Sequence, residues 1–146
     1  MGNPFCHIEL NTDSTDKAKK FYTALFAWKM SDTKMGPSMV YTMIAAGTGP
    51  GGGIMKKPMA QAPNAWLPYV QVDDVVKTIQ KAKRLGAQII VEYLPLPNMG
   101  SMGIFADPWG AVLGVWAPEK KPAAKKAAGK KPAPKSAKKP ARKANK

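Results

Sequence analysis

The chain has 146 residues, 45% of them hydrophobic, which suits one compact domain with a core of its own. Of the 23 Lys and Arg, twelve fall between Lys120 and Lys146 and all nine acids fall before them, so residues 1–119 carry 11 − 9 = +2 and the remainder +12. A single cysteine, Cys6, excludes an intrachain disulfide and a Cys-rich zinc module, and no apolar run is long enough to span a membrane.

Phe5 to Leu10 alternates as a half-buried strand, with His7 and Glu9 on one face and Cys6, Ile8 and Leu10 on the other. Asp13 is placed to cap a helix whose apolar face is Ala18, Phe21, Tyr22, Leu25 and Phe26. Trp28–Ser31, Met39–Ala45 and Gly52–Met55 read as three short strands. Trp66–Val72 is the next strand. Asp73 is then expected to cap a helix from Asp74 to Leu85, with Val75, Val76, Ile79, Ala82 and Leu85 as its buried stripe and Gly86 just past its end. Gln88–Tyr93, Met99–Phe105 and Ala111–Trp116 follow as strands, the last two joined by Asp107-Pro108-Trp109-Gly110, which has the residues of a type I turn.

The order of elements is therefore βαβββ twice, and a shift of sixty residues lays one copy on the other: Asp13 falls on Asp73, Leu25 on Leu85. Two copies of one supersecondary unit imply an α+β domain over 1–118, a curved and mostly antiparallel sheet with both helices on one face and a cleft between the units. The shift also ranks the residues that line the cleft. His7 and Glu9 are candidates for proton chemistry, and Tyr69, Gln71, Trp116, Met55, Trp66 and Met99 are candidates for holding a ligand. A strand histidine bonded to a carbonyl or water, and ordinary sheet packing or a dimer contact for the aromatic and Met residues, are the competing readings. Cys6 points to the helix side and reads as a small core residue. Gly49-Pro50-Gly51-Gly52-Gly53 lacks the Gly-Lys-Ser/Thr ending of a phosphate loop and reads as a flexible hairpin rim.

The opening strand with His7, the helix ending Phe21-Tyr22-Thr23-Ala24-Leu25-Phe26-Ala27-Trp28, the Val72-Asp73-Asp74 step, and Phe105-Ala106-Asp107-Pro108-Trp109-Gly110 before the last strand resemble the vicinal oxygen chelate superfamily. That superfamily includes glyoxalase I, extradiol dioxygenases and the bleomycin resistance proteins. The resemblance covers residues 5 to about 117, and the closing Gly110–Trp116 is most similar to a glyoxalase-like subgroup. It implies a small-molecule site between the units, pairing into homodimers and, in the metal-dependent members, four ligands from the first and last strands of each unit. His7 matches the first place. The sixty-residue shift puts Leu67 at the second and gives roughly Ile54 and Gly114 for the others, none of which ligates through a side chain. No metal and no cofactor is expected.

Residues 119–146 form a Lys/Ala/Pro tail with Lys-Lys-Pro-Ala at 120, 130 and 138, expected to be disordered in isolation. It resembles the C-terminal tails of linker histones. Its cations are Lys120, Lys121, Lys125, Lys126, Lys130, Lys131, Lys135, Lys138, Lys139, Arg142, Lys143 and Lys146, with no aromatic residue among them. Such a segment holds DNA or RNA through counterion release, without reading sequence. The readings are then a glyoxalase-like protein that binds, and acts on, a small organic molecule; a module that only sequesters one; and a nucleic-acid-associated protein in which the domain dimerises or senses a ligand. A metal-dependent lactoylglutathione lyase or dioxygenase is disfavoured. A cytoplasmic place, including association with the nucleoid, is the expectation from the absence of a signal-peptide pattern. Deleting 120–146 is expected to leave the domain folded and to remove most DNA binding. In the full chain log K should fall with log salt at a slope of about −5 if roughly six cations engage phosphates; equal binding by the truncated protein would refute this role.

Overall fold

A computed structural model describes residues 2–120, and the disorder and nucleic-acid contacts expected of Lys121 to Lys146 lie outside the described residues. Short runs, several of them rich in β-branched and aromatic residues, are separated by Gly, Pro and Asn turns and form eight strands, with two helices packed on them. The order is β1 (Phe5–Thr12), α1 (Thr15–Leu25), β2 (Lys29–Lys34), β3 (Val40–Ala45), β4 (Gly51–Lys56), β5 (Ala65–Gln71), α2 (Val75–Arg84), β6 (Gln88–Leu96), β7 (Gly100–Ala106) and β8 (Val112–Ala117). This is the expected βαβββ pattern twice over.

The strands make one curved sheet in the order β2-β3-β4-β1-β5-β8-β7-β6, so each unit is a contiguous half. Within a half the first strand lies parallel to the last, β1 to β4 and β5 to β8, and the halves meet where β1 runs antiparallel to β5. In that central pair His7 stands opposite Tyr69, and Glu9 opposite Leu67.

Alternation along the strands divides the residues between two faces. One face carries the helices and two small cores. Leu10, Ile44 and Ile54 pack beneath Ala18 and Tyr22 of α1, and Val72, Val115 and Ala117 pack beneath Val75 and Ile79 of α2. Gly103 is held to glycine by this contact, because a Cβ there would press into Ile79. The other face is the concave side of the sheet and carries no helix.

The helices start one residue later than the sequence implies. Ser14, not Asp13, accepts from the backbone of Lys17, and Asp74, not Asp73, accepts from Lys77. Asp13 instead pairs with Lys57 at 2.7 Å, which ties the start of α1 to the segment after β4. Burial of the helices is also thinner than their periodicity suggests. In α2 only Val75 and Ile79 are buried, while Val76 and Leu85 are exposed. In α1 no residue is buried, and Phe21 and Leu25, with Phe26 at its C-cap, stay exposed. A single helix packed on a sheet can bury only the narrow stripe that touches the strands, and the flanks of a wide apolar face are left out. Gly86 at φ 93° ends α2 as expected, and Asp107–Gly110 closes with Gly110 N–H donating to the Asp107 carbonyl at 2.9 Å. Among the described residues no helix is long and apolar enough to cross a membrane.

Candidate functional site

The concave face holds a connected set of polar side chains at the junction of the two halves. His7, Glu9 and Asn11 alternate along β1, and Tyr41 reaches across from β3 and Tyr69 from β5. The Tyr41 hydroxyl sits 2.6 Å from His7 Nε2 and donates to Glu9 Oε2 at 2.9 Å. Tyr69 donates to Glu9 Oε1 at 3.4 Å and also lies 3.9 Å from Met102 Sδ, while Asn11 Nδ2 donates to Oε1 at 3.3 Å. The His7 ring is stacked near Tyr41 and tilted against Tyr69. Glu9 is buried, as is Tyr69.

Two glycines make this arrangement possible. Gly53 of β4 lies beside Glu9 and Gly114 of β8 beside Tyr69. A Cβ on Gly53 would collide with the Tyr41 hydroxyl and ring, and one on Gly114 with the Tyr69 ring. Each tyrosine lies across the strand where a side chain from the closing strand would otherwise rise. The absence of a side chain is what lets the ring in.

Electrostatics follow from burial with no cation paired to Glu9 among the described residues. Burial pushes the Glu9 carboxyl above its ordinary range, against the bonds from Tyr41, Asn11 and Tyr69, which favour the charged form. Burial pulls His7 down. Both phenols are pushed up, first by burial and then by the neighbouring Glu9 charge, so Tyr41 and Tyr69 remain protonated donors. Burial also pushes the Cys6 thiol up, which makes it a poor nucleophile, and its Sγ donates to the Tyr69 carbonyl at 3.5 Å.

His7 and Glu9 are therefore brought together, though through Tyr41 rather than directly. Tyr69 belongs to the same group. Gln71, Trp116 and Met55 share the concave face by alternation but make no hydrogen bond to it. Gln71 is exposed, and its carbonyl accepts from Asn3. Trp116 donates from Nε1 to the Met99 carbonyl at 3.0 Å, so these two meet each other at the start of β7. Trp66 lies on the opposite face: it packs edge-on against Tyr22 and Trp28 and donates to the Tyr22 hydroxyl at 3.3 Å. Its place one residue from Leu67 decides this, because neighbouring strand residues face opposite ways. Tyr41, Asn11 and Met102 were missed by sequence. Alternation within Val40–Ala45 puts Tyr41 opposite the buried Thr42 and Ile44, a signal that was available.

The sixty-residue shift needs one correction. Glu9 superposes on Tyr69 at sixty residues, but Gly53 corresponds to Gly114 and Tyr41 to Met102 at sixty-one, as the strand registers require. Ile54 is thus the wrong residue for the closing strand; it is fully buried under α1. A one-residue slip changes the face.

With these positions fixed, the donors for a divalent ion can be counted. The four places are His7, Leu67, Gly53 and Gly114, and only His7 offers a ligating atom, which Tyr41 engages at Nε2. The places on β4 and β8 are filled by tyrosine rings. No group of three His, Cys, Asp or Glu converges among the described residues. This donor set does not fit the ion of the metal-dependent fold relatives. Two surface hollows of about 450 Å³ each lie elsewhere, beside the start of α1 and beside β6 and Lys120, and His7, Glu9, Tyr41 and Tyr69 line neither.

The profile of the Glyoxalase/Bleomycin resistance protein/Dioxygenase superfamily matches residues 5–115. The chain belongs to this superfamily. Among curated relatives, "Putative glyoxylase CFP32" of Mycobacterium tuberculosis is 36% identical over 110 residues, covering 75% of this chain and 42% of that protein. The chain thus spans less than half the length of that glyoxalase-superfamily relative. Among solved structures, a hypothetical protein from Bacillus halodurans aligns with TM-score 0.65 at 14% identity, over 85% of this chain and all of that one. Methylmalonyl-CoA epimerase from Mycobacterium tuberculosis aligns with TM-score 0.61 at 11% identity, over 80% of this chain and 89% of that one. At these identities both likenesses speak for the fold alone.

The sign of the pH dependence follows from Glu9. Its folded pKa lies above the ordinary 4.5, so its contribution to stability is fully present below about that value and is lost as pH rises through the folded pKa. Glu9→Gln keeps the shape and one acceptor oxygen, as the protonated carboxyl does, but cannot ionise. Thermal denaturation should show the variant more stable than the parent at about pH 8, with the difference narrowing toward about pH 4. A variant that loses stability at the higher pH would mean that the three donors outweigh burial.

Proposed function

We propose that this chain is a metal-independent member of the glyoxalase superfamily that binds a small, largely apolar organic molecule on the concave face and exchanges a proton with it through His7 and Glu9. The observation that carries this reading is the rebuilt site itself. Where a metal-dependent relative would present ligands, this chain presents a histidine and a buried carboxyl joined by a tyrosine, with a second tyrosine closing over a glycine. Buried groups that favour opposite protonation states side by side are what proton transfer requires. Met55, Met43 and Trp116 on the same face supply adaptable apolar contact around that centre. Gln71 and Met99 would stand at its rim.

Pairing of two chains belongs to this reading. The exposed Phe21, Leu25 and Phe26 of α1 and the open concavity both leave apolar surface for a second copy to cover. The basic segment from Lys120 onward would add non-specific affinity for polyanions.

Native mass spectrometry of the purified chain, searching for an organic molecule carried through purification, identifies the ligand. His7→Ala then separates the two forms of the reading. If the protein is an enzyme, turnover of that ligand should fall by about 10²-fold or more, the usual worth of a positioned acid or base, with affinity changed far less. If it is a module that sequesters its ligand, affinity alone changes. A variant that binds and turns over the ligand as the parent does would refute the role of His7.

A further inference from the structure

We propose that Tyr41 is a positioning residue that couples His7 to Glu9 in a single proton relay, and that the atom this relay offers to a ligand is Nδ1 of His7. The inference rests on the reading of the concave face as a place of proton transfer, and names how that transfer is organised.

The heavy-atom geometry restricts where protons can be. The Tyr41 hydroxyl has one proton and two close partners, His7 Nε2 at 2.6 Å and Glu9 Oε2 at 2.9 Å. When Glu9 is ionised it accepts, so the Tyr41 proton points to Oε2 and the phenol oxygen must accept from Nε2–H. His7 is then the Nε2–H tautomer, and its lone pair is on Nδ1. No side-chain nitrogen or oxygen among the described residues is both buried and unpartnered, and Nδ1 makes no hydrogen bond to any of these residues. It therefore reaches the open concavity. The groups packed around the pair are Asn11, Tyr69, Leu67, Met102 and Gly53, from β1, β5, β7 and β4, and none carries a charge.

The proton balance is closed without any co-reactant. Nδ1 takes a proton from an acidic X–H bond of the ligand, breaking X–H and forming Nδ1–H. The Nε2 proton passes to the Tyr41 oxygen while the Tyr41 proton passes to Glu9 Oε2. The result is a neutral imidazole protonated at Nδ1, an unchanged phenol, a neutral carboxylic acid and a ligand anion. Reversal delivers the proton back from Nδ1–H. The negative charge of Glu9 thus ends on the ligand, and no imidazolium has to persist at the partly buried His7, where its charge would be costly. Neither side chain needs to move.

His7 is the single histidine of the chain, so one imidazole signal reports on the relay without any ligand. Two-bond ¹H–¹⁵N spectra of the full-length ¹⁵N-labelled protein, from about pH 8 downward, distinguish the three states of the ring. The parent should show the Nε2–H tautomer at the upper end and convert to neutral Nδ1–H as Glu9 takes up its proton. Tyr41→Phe should abolish that conversion and let His7 titrate to an imidazolium with both nitrogens protonated. Tyr69→Phe, which removes a donor to Glu9 but not the bridge, should keep the conversion from Nε2–H to neutral Nδ1–H and move it to higher pH. Direct formation of an imidazolium in the parent would overturn the proposal, whether or not the Phe variant folds; so would an Nδ1–H ring at about pH 8, or a folded Tyr41→Phe protein that titrates like the parent. Because no ligand is involved, failure of the relay leaves the ligand-binding reading standing, and a relay found in a protein that binds nothing would refute that reading alone.

Discussion

Glu9 is a carboxyl buried at the seam of the two halves with no cation beside it among the described residues, and much of the concave face can be understood as its accommodation. Leaving such a group unpartnered would cost several kcal/mol. Two hydroxyls and an amide point at its oxygens instead, and bonds to a charged acceptor are the stronger kind. The donors come from β1, β3 and β5, so the group exists only when the central β1–β5 pairing and the β1–β4–β3 ladder are both formed. Stability of the fold and organisation of the site are in this sense one property.

The superfamily frame explains why the group sits where it does. Doubling a βαβββ unit creates four related positions on the concave face, two from opening strands and two from closing strands. In this chain both closing positions are glycine, and each admits a tyrosine ring from a neighbouring strand. The halves are nevertheless not equivalent. Glu9 in the first corresponds to Tyr69 in the second, and Tyr41 to Met102, so a carboxyl with its phenol faces a phenol with its thioether. Unlike residues at like positions give the site a direction, which a symmetric cleft would lack.

The fold was legible because its signals are local. Period-two alternation, the Asp-Pro-Trp-Gly turn and the Gly86 stop all lie within a few residues of what they specify. The internal shift then supplied the pairing of the halves. His7, Glu9 and Tyr69 were legible as one group for the same reason. Tyr41 was not, because its role depends on a contact thirty-two residues away from Glu9, on a strand that reads only as a short apolar run. Trp66 reads from sequence as an aromatic residue at the rim of the cleft, while strand parity sends it to the helices. The glycines misled in the opposite sense. As sequence they are vacancies or flexible links, and only the packing of Tyr41 and Tyr69 shows what they admit.

The central claim is that this site is organised around hydrogen-bonded protons and not around an ion. Elemental analysis of the purified full-length protein, after exposure to an excess of nickel, zinc, manganese or iron(II) and removal of unbound metal, tests it most directly. The account predicts far less than one ion per chain, with any residue unaffected by His7→Ala. One divalent ion per chain that is lost in His7→Ala would contradict it.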